Sequence, residues 1–348
     1  MFSEESRIEE GIKAEARRLG FALCGISRPK SPGGFSRFSA WIEKGMYGEM
    51  RYLARADTLR KRENPAFLLE HCKSVICLAL PYPPSESLGN IAAFARVPDY
   101  HDLLREKLAQ LASYIERTLG RELSTYIAVD SSPVLEKSLA VQAGLGLLGK
   151  HTLLINEHYG SWLFLGELFI DVELEPDLPF EGDFCADCKI CVDACPTGAL
   201  LGDKTMNASK CISYITIEHR GKIPEDIRKR MSGQVVGCDI CQVLCPMNKA
   251  IKLNAHNYEL PQVLPANLDL PACLALDEES FKAMFGKTTV MRLKYKSFRR
   301  NVVLAMAHSA NQEFLQILQT AITDEEDSIC KDAMQWALET IRQTLSKK

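Results

Sequence analysis

Eight of the thirteen cysteines fall between positions 185 and 245, spaced as ligands to iron. The first run is Cys185-x-x-Cys188-x-x-Cys191-x-x-x-Cys195-Pro196, and the second is Cys238-x-x-Cys241-x-x-x-Cys245-Pro246. A two-residue gap lets successive thiolates reach neighbouring irons of one cubane. The cysteine before the proline ligates the other cluster in two-cluster ferredoxins. The second run is one thiolate short, and Cys211 upstream can supply it. Cys185, Cys188, Cys191 and Cys245 then hold one 4Fe-4S cluster, and Cys195, Cys211, Cys238 and Cys241 hold a second. Zinc also takes four thiolates, but its sites favour paired C-x-x-C over a triple followed by Cys-Pro. Cys24, Cys72, Cys77, Cys273 and Cys330 read as small buried apolar residues.

Fully ligated irons relay electrons and do no organic chemistry, so the rest of the chain must hold the reaction, most simply on a further cofactor. The chain has 348 residues, room for two or three units. Periodicity places helices over 6–20, 35–43, 101–119 and 133–143. The first carries a capping-box pattern, Ser6-x-x-Glu9, and in the third Leu104, Leu108, Leu111 and Ile115 share a face. Strands are expected over 21–26, 74–80, 124–129, 152–156 and 161–173, giving one sheet with helical cover. Residues 174–184 read as a linker, and from about 275 the chain is helical. The stretches Arg300–Ala307 and Lys331–Leu338 are loosely alike, as in a short helical repeat that must dock on its neighbours.

Composition bounds the function. The formal net charge of −3 points to no partner by itself, so local patches decide. No apolar run is long enough for a membrane span, and no signal peptide is evident. A cytoplasmic location without membrane attachment is expected, where cysteines stay reduced.

Two segments could carry chemistry outside the cysteines. Asp130-Ser131-Ser132-Pro133 puts a carboxyl group at the end of a strand, where ligands of α/β sheets gather. It is either a helix N-cap or, if burial raises its pKa, a proton donor. Gly144-x-Gly146-x-x-Gly149 follows a helix, so it is no dinucleotide fingerprint. It is either a tight turn or a close approach to a large cofactor.

Together these stretches resemble the epoxyqueuosine reductase family. The resemblance rests on Asp99-Tyr-His101, Val129-Asp130-Ser-Ser-Pro133, Ala143 through Lys150, Tyr159-Gly-Ser161, Pro196 through Leu200, Cys211 through Tyr214 and Gly237 through Asn248. It implies an α+β fold in three parts. These are an α/β cobalamin-binding domain like that of reductive dehalogenases (1–175), a two-cluster ferredoxin module (176–255) and a short helical HEAT-like tail (256–348). The implied activity is an oxidoreductase that reduces the epoxide of epoxyqueuosine, at the wobble position of a tRNA, to queuosine. The implied cofactors are cobalamin, charged to cob(I)alamin, and the two clusters. Asp130 becomes the proton donor, and Arg62, Asp130, Leu154, Leu165, Asp239 and Ile240 fall where the family contacts cobalamin. His151 departs from the pattern, standing where asparagine is expected, and the tail is short.

A tRNA substrate needs a basic face. Arg292, Lys294, Lys296, Arg299 and Arg300, interleaved with Tyr295 and Phe298, could supply phosphate contact and stacking. The bland alternative is a solvated helix face. The other partner expected is a separate electron donor, and the chain is expected to be a monomer. Two other functions compete: a cobalamin reductase of a small molecule, of the dehalogenase type, and a non-catalytic iron-sulfur subunit.

Overall fold

The computed structural model describes residues 5–249 and 259–347, with the side chains of residues 5–7 outside that description. Six strands are formed: β1 (Leu23–Ser27), β2 (Ser74–Pro81), β3 (Thr125–Ala128), β4 (Leu147–Leu148), β5 (Leu154–Ile155) and β6 (Leu163–Ile170). Four build one sheet in the order β1-β2-β6-β3, and β4 and β5 form a small hairpin. Every paired neighbour in the large sheet is antiparallel. β2 and β3 therefore run the same way, with β6 inserted between them in the opposite sense. The strand–helix alternation holds, but not as a parallel sheet.

The sheet is covered on both faces, so β2 is buried throughout. Its side chains alternate: Ile76, Leu78 and Leu80 enter one apolar cluster, Val75, Cys77 and Ala79 another, as the two-residue period of a strand requires. On the first face lie α1 (Glu5–Arg18) and α4 (Tyr100–Leu119), after α2 (Phe35–Glu43) and α3 (Ala56–Glu63) in the chain. Ile12, Ala16, Leu104, Leu108, Leu111 and Ile115 all pack there. The expected stripe of α4 is thus its buried face. The other face takes α5 (Glu136–Gln142), through Leu139 and Ala140. Helix α1 already includes Glu5, so Ser6 is not its cap, and the side chain of Ser6 lies outside the described residues.

Residues 174–184 form no helix or strand, as expected of a linker. They are nonetheless pinned: Asp177 accepts from Lys13 Nζ at 2.5 Å and from the Ile26 N–H at 2.8 Å. The cysteine segment folds into single-turn helices: α6 (Ile190–Asp193), α7 (Ile212–Ile217), α8 (Glu225–Arg228), α9 (Ile240–Val243) and α10 (Pro246–Lys249). The tail comprises α11 (Leu270–Ala275), α12 (Glu278–Phe285), α13 (Lys294–Ser309), α14 (Glu313–Ala321) and α15 (Ser328–Leu345). One apolar cluster joins Tyr214, Ile215, Val235 and Val236 to Phe281, Phe298, Val302 and Met334. The tail therefore docks on the cysteine segment and has no core of its own. The anticipated 255/256 boundary lies outside the described residues. No helix among the described residues is long and apolar enough to cross a membrane.

Candidate active site

Two residues beyond the end of β3, Asp130 adopts a φ of 52°, a left-handed conformation that aspartate tolerates better than most residues. The turn is secured from behind, where the Asp130 N–H donates to Glu136 Oε1 at 2.5 Å. Residues 131–135 are spent on this turn, so α5 starts at Glu136, later than Pro133 suggested. Its N-cap position is Leu135, without side-chain capping. Asp130 is thus no helix cap, and its carboxylate is free to face other groups.

Asp130 Oδ2 lies 3.0 Å from Arg292 Nη1 and 3.3 Å from His101 Nε2. His101 is oriented by its other nitrogen, with Nδ1 2.6 Å from Asp99 Oδ1. The same Asp99 oxygen caps α4 by accepting the His101 N–H, which fixes the start of the helix and the ring together. Tyr100, between them, stacks on Phe164 of β6 at 3.9 Å. Arg292 is shared: its Nε donates to Glu218 Oε1 at 2.7 Å.

The charges decide where the proton rests. Burial pushes the Asp130 carboxyl up, but the His101 hydrogen bond and the Arg292 charge outweigh it and hold the group below its ordinary range. Burial pulls His101 down, and its bonds to Asp130 and Asp99 more than reverse this, to about 9. Burial and the Asp130 charge raise Glu136 to about 7. At neutral pH the site holds an Asp130 anion beside an imidazolium, the reverse of a preloaded acid.

The residues expected around cobalamin divide. Arg62, at the end of α3, is 6% exposed, and its Nη1 has no partner among the described residues. It senses the charge of Glu136, as Asp130 does. Leu154 and Leu165 belong to the apolar cluster of α5. His151 is also buried, with Nε2 unpartnered and Nδ1 accepting the Leu153 N–H. Burial drops it to about 4, so it is neutral. Glu167 of β6 is 1% exposed with neither carboxyl oxygen partnered. Buried polar groups normally find partners, so orphaned donors and acceptors beside leucines suit a large apolar ring rimmed with amides. Asp239 and Ile240 stand at the start of α9. Asp239 Oδ2 accepts from the Ala93 N–H at 2.7 Å and Ser85 Oγ at 3.0 Å, so its visible task is to dock the cysteine segment.

The glycine turn packs against the chain itself. Gly146 has a φ of 153°, and a Cβ there would lie 2.2 Å from the Ile155 carbonyl oxygen. A Cβ on Gly144 would meet the Leu178 carbonyl oxygen at 2.6 Å. The tight-turn alternative therefore accounts for both positions. At its end, Lys150 Nζ donates to the carbonyls of Ala186 and Cys188, and its N–H to Cys185 Sγ at 3.4 Å. The turn thus braces the first cysteine loop.

The eight thiols assemble in two groups. Cys191 is raised to about 11 by burial and then by Cys185, Cys245 and Cys188. Cys238 is raised to about 12 by burial and by Cys211 and Cys195 among its neighbours, and Cys241 by burial and then Cys238 and Cys211. Cys241 also senses Cys191, so thiols of both runs lie near one another. Of the remaining cysteines, Cys77, Cys273 and Cys330 are buried, while Cys24 and Cys72 are only partly so.

The basic segment is corrected at several positions. Arg300 is 1% exposed, and its guanidinium donates to the carbonyls of His219, Gly221 and Ile215. It fills the tail interface and does not face solvent. Arg299 is tied to Glu325 and the Leu274 carbonyl. Phe298 is fully buried, and the Tyr295 hydroxyl donates to the Leu276 carbonyl, so neither ring is free to stack on a base. Lys294 and Lys296 remain exposed, and Arg292 joins Asp130. Sequence reasoning gave no role to Glu136, Glu218 or Tyr100. The only signal was their place beside the quoted motifs.

Comparison with known proteins agrees with this layout. Residues 184–248, which hold all eight thiols, match a family model described as a 4Fe-4S double cluster binding domain. Residues 62–131, from Arg62 to beyond Asp130, match one described as epoxyqueuosine reductase QueG, DUF1730. An epoxyqueuosine reductase of Cyclobacterium marinum is 38% identical over 84% of this chain and 94% of its own. That of Pseudomonas aeruginosa is 33% identical over 96% and 95%. A solved epoxyqueuosine reductase superposes with a TM-score of 0.86 at 27% identity, covering 99% of this chain and 96% of the other. Another, solved with an epoxyqueuosine-modified tRNA-Tyr stem loop, gives 0.82 at 26% identity over 97% and 100%. A mixed α+β fold, a double-cluster module and relatives aligned along nearly their whole length lead to one conclusion: this chain is an oxidoreductase belonging to the epoxyqueuosine reductase family.

Proposed function

We propose that this chain removes the epoxide oxygen of epoxyqueuosine at the wobble position of a tRNA, giving queuosine. The observation that carries this is the Asp130 carboxylate, presented by a left-handed turn inside the matched segment and paired with an oriented His101. Deoxygenating an epoxide to an alkene consumes two electrons and two protons and releases water. Arg62, Asp130, Leu154, Leu165, Asp239 and Ile240 are the residues that would hold cobalamin, which, when bound and reduced through the two clusters, would supply those electrons at a nucleophilic metal. The protein supplies the rest. Asp99 aims His101, His101 holds a proton 3.3 Å from Asp130 Oδ2, and Asp130 passes it to the oxygen leaving carbon. A donor works best with a pKa near the operating pH, and the raised His101 keeps this relay charged at neutrality.

Lys294 and Lys296 are the exposed cations proposed to meet the tRNA backbone. Electrons arrive from a separate reduced carrier, and the enzyme acts as a cytoplasmic monomer. Its parts divide as 1–175, 176–255 and 256–348. The test is anaerobic protein, reconstituted with iron, sulfide and cobalamin, chemically reduced and given tRNA bearing epoxyqueuosine. Nucleoside mass spectrometry should show loss of one oxygen. Intact epoxyqueuosine after incubation with fully loaded protein would exclude the activity.

A further inference from the structure

Asp130 is meant to give up a proton, yet it is held as an anion by two cations. Only one of them belongs to the proton relay. His101 approaches from α4, Glu136 from α5 and Arg292 from the tail, just before α13; Glu218 and Tyr52 lie beyond Arg292. The Arg292–Asp130 contact spans 162 positions of sequence. It joins the segment expected to meet RNA to the group expected to meet the epoxide.

We propose that Arg292 is a substrate-released clamp on Asp130: a tRNA phosphate draws its guanidinium away, and only then can Asp130 carry the proton that the epoxide oxygen takes. This rests on the reaction proposed above and adds how substrate binding arms it.

Three observations support the clamp. First, the Arg292 side chain is 41% exposed and that of Asp130 is 40% exposed, so a ligand arriving from solvent reaches their contact. Exposed Lys294 and Lys296 follow Arg292 in the chain, Lys296 with Asp327 as a partner at 3.1 Å. Second, the backbone is anchored independently of the side chain, whose Nε bond to Glu218 at 2.7 Å leaves a pivot about which the Nη atoms can turn. Arg220 donates to the carbonyls of Arg292 and Leu293 at 2.8 and 2.9 Å, so the guanidinium can exchange partners without moving the chain. Third, phosphate competes well, because it takes two parallel charge-assisted bonds from arginine, whereas Asp130 receives one at 3.0 Å. With Arg292 withdrawn, one of the two cations that keep Asp130 an anion is gone, the nearby Glu136 favours a protonated Asp130, and His101 supplies the proton through its 3.3 Å contact. Enzyme without RNA keeps the donor discharged and wastes no reducing equivalents on stray epoxides.

The test uses chemically reduced holoenzyme in single turnover across pH, at saturating and at trace epoxyqueuosine tRNA. Rates at trace tRNA report the acid of the free enzyme, and rates at saturation that of the complex. The descending limb should lie about one pH unit higher in the complex, the effect of removing one neighbouring cation. In R292Q the two limbs should coincide at the higher position, and the tRNA concentration for half-saturation should rise about tenfold. Coincident limbs in the wild-type enzyme, or an unchanged separation in R292Q, would overturn the clamp. The wild-type comparison decides even where the variant folds poorly. Absence of any turnover by loaded wild-type enzyme is a different result and strikes the reaction itself.

Discussion

Replacing Arg300 by methionine separates packing from RNA contact. Its guanidinium makes bonds of 2.9, 2.8 and 3.1 Å to the carbonyls of His219, Gly221 and Ile215, and it is 1% exposed. Methionine leaves these three carbonyls and Asn301 Oδ1, which Arg300 also reaches, without that donor, each costing about 1 kcal/mol or more. Against this, removing a buried charge that faces carbonyls returns part of its desolvation cost. The net expectation is a destabilisation of about 2 kcal/mol, read by anaerobic denaturant unfolding. The salt dependence of tRNA affinity should not change. Each cation that does neutralise a phosphate on a single-stranded loop contributes about 0.7 to the slope of log affinity against log salt. K294A and K296A should therefore each flatten the slope by about that amount, R292Q likewise, and R300M by none. Fluorescence anisotropy between about 50 and 200 mM salt, on protein matched for iron content, reads all four. If R300M flattened the slope like K294A at unchanged stability, Arg300 would face the RNA, and the packing of α13 described above would be wrong.

Asp130→Asn should keep both clusters by visible absorbance and bind cobalamin, yet lose at least about a hundredfold in single-turnover rate, the usual worth of a general acid; near-normal turnover would remove Asp130 from the chemistry. C211S should lose one cluster, so that iron per chain falls from about eight to about four. Unchanged iron would reassign the ligands. Glu167 is held well above its ordinary 4.5 by burial and by Glu136. The folded state thus keeps a proton that the unfolded chain releases above pH 4.5. Its stabilising contribution is complete below that pH and wanes as pH rises. E167Q should lose less stability than wild type between pH 6 and 8, and parallel curves would show that Glu167 is already ionised.

The double-cluster module was legible because cubane ligation is written in local cysteine spacing. The stripe of α4 was legible for the same reason, since Leu104, Leu108, Leu111 and Ile115 report a face without knowledge of what covers it. Arg292 and Arg300 were not separable. Eight positions apart in one basic run, they differ only in what the fold brings to them: a carboxylate from β3 for one, loop carbonyls after α7 for the other. Asp130 could not be decided on its residues alone because Asp before Ser-Ser-Pro is good capping chemistry, and nothing local reveals that the helix will wait until Glu136. The direction of β6, which enters between β2 and β3, is likewise a choice made by the whole sheet.

Asn301 of α13 is wholly buried, and its amide nitrogen reaches the carbonyls of Thr216 and Val235 at 2.9 Å each. Both acceptors lie among the cysteines, whereas the donor is made some sixty residues or more later. During synthesis on the ribosome the thiols emerge well before the helix that closes over them. A message broken ahead of α13 would therefore yield a product without the amide that ties the Thr216 and Val235 backbones together.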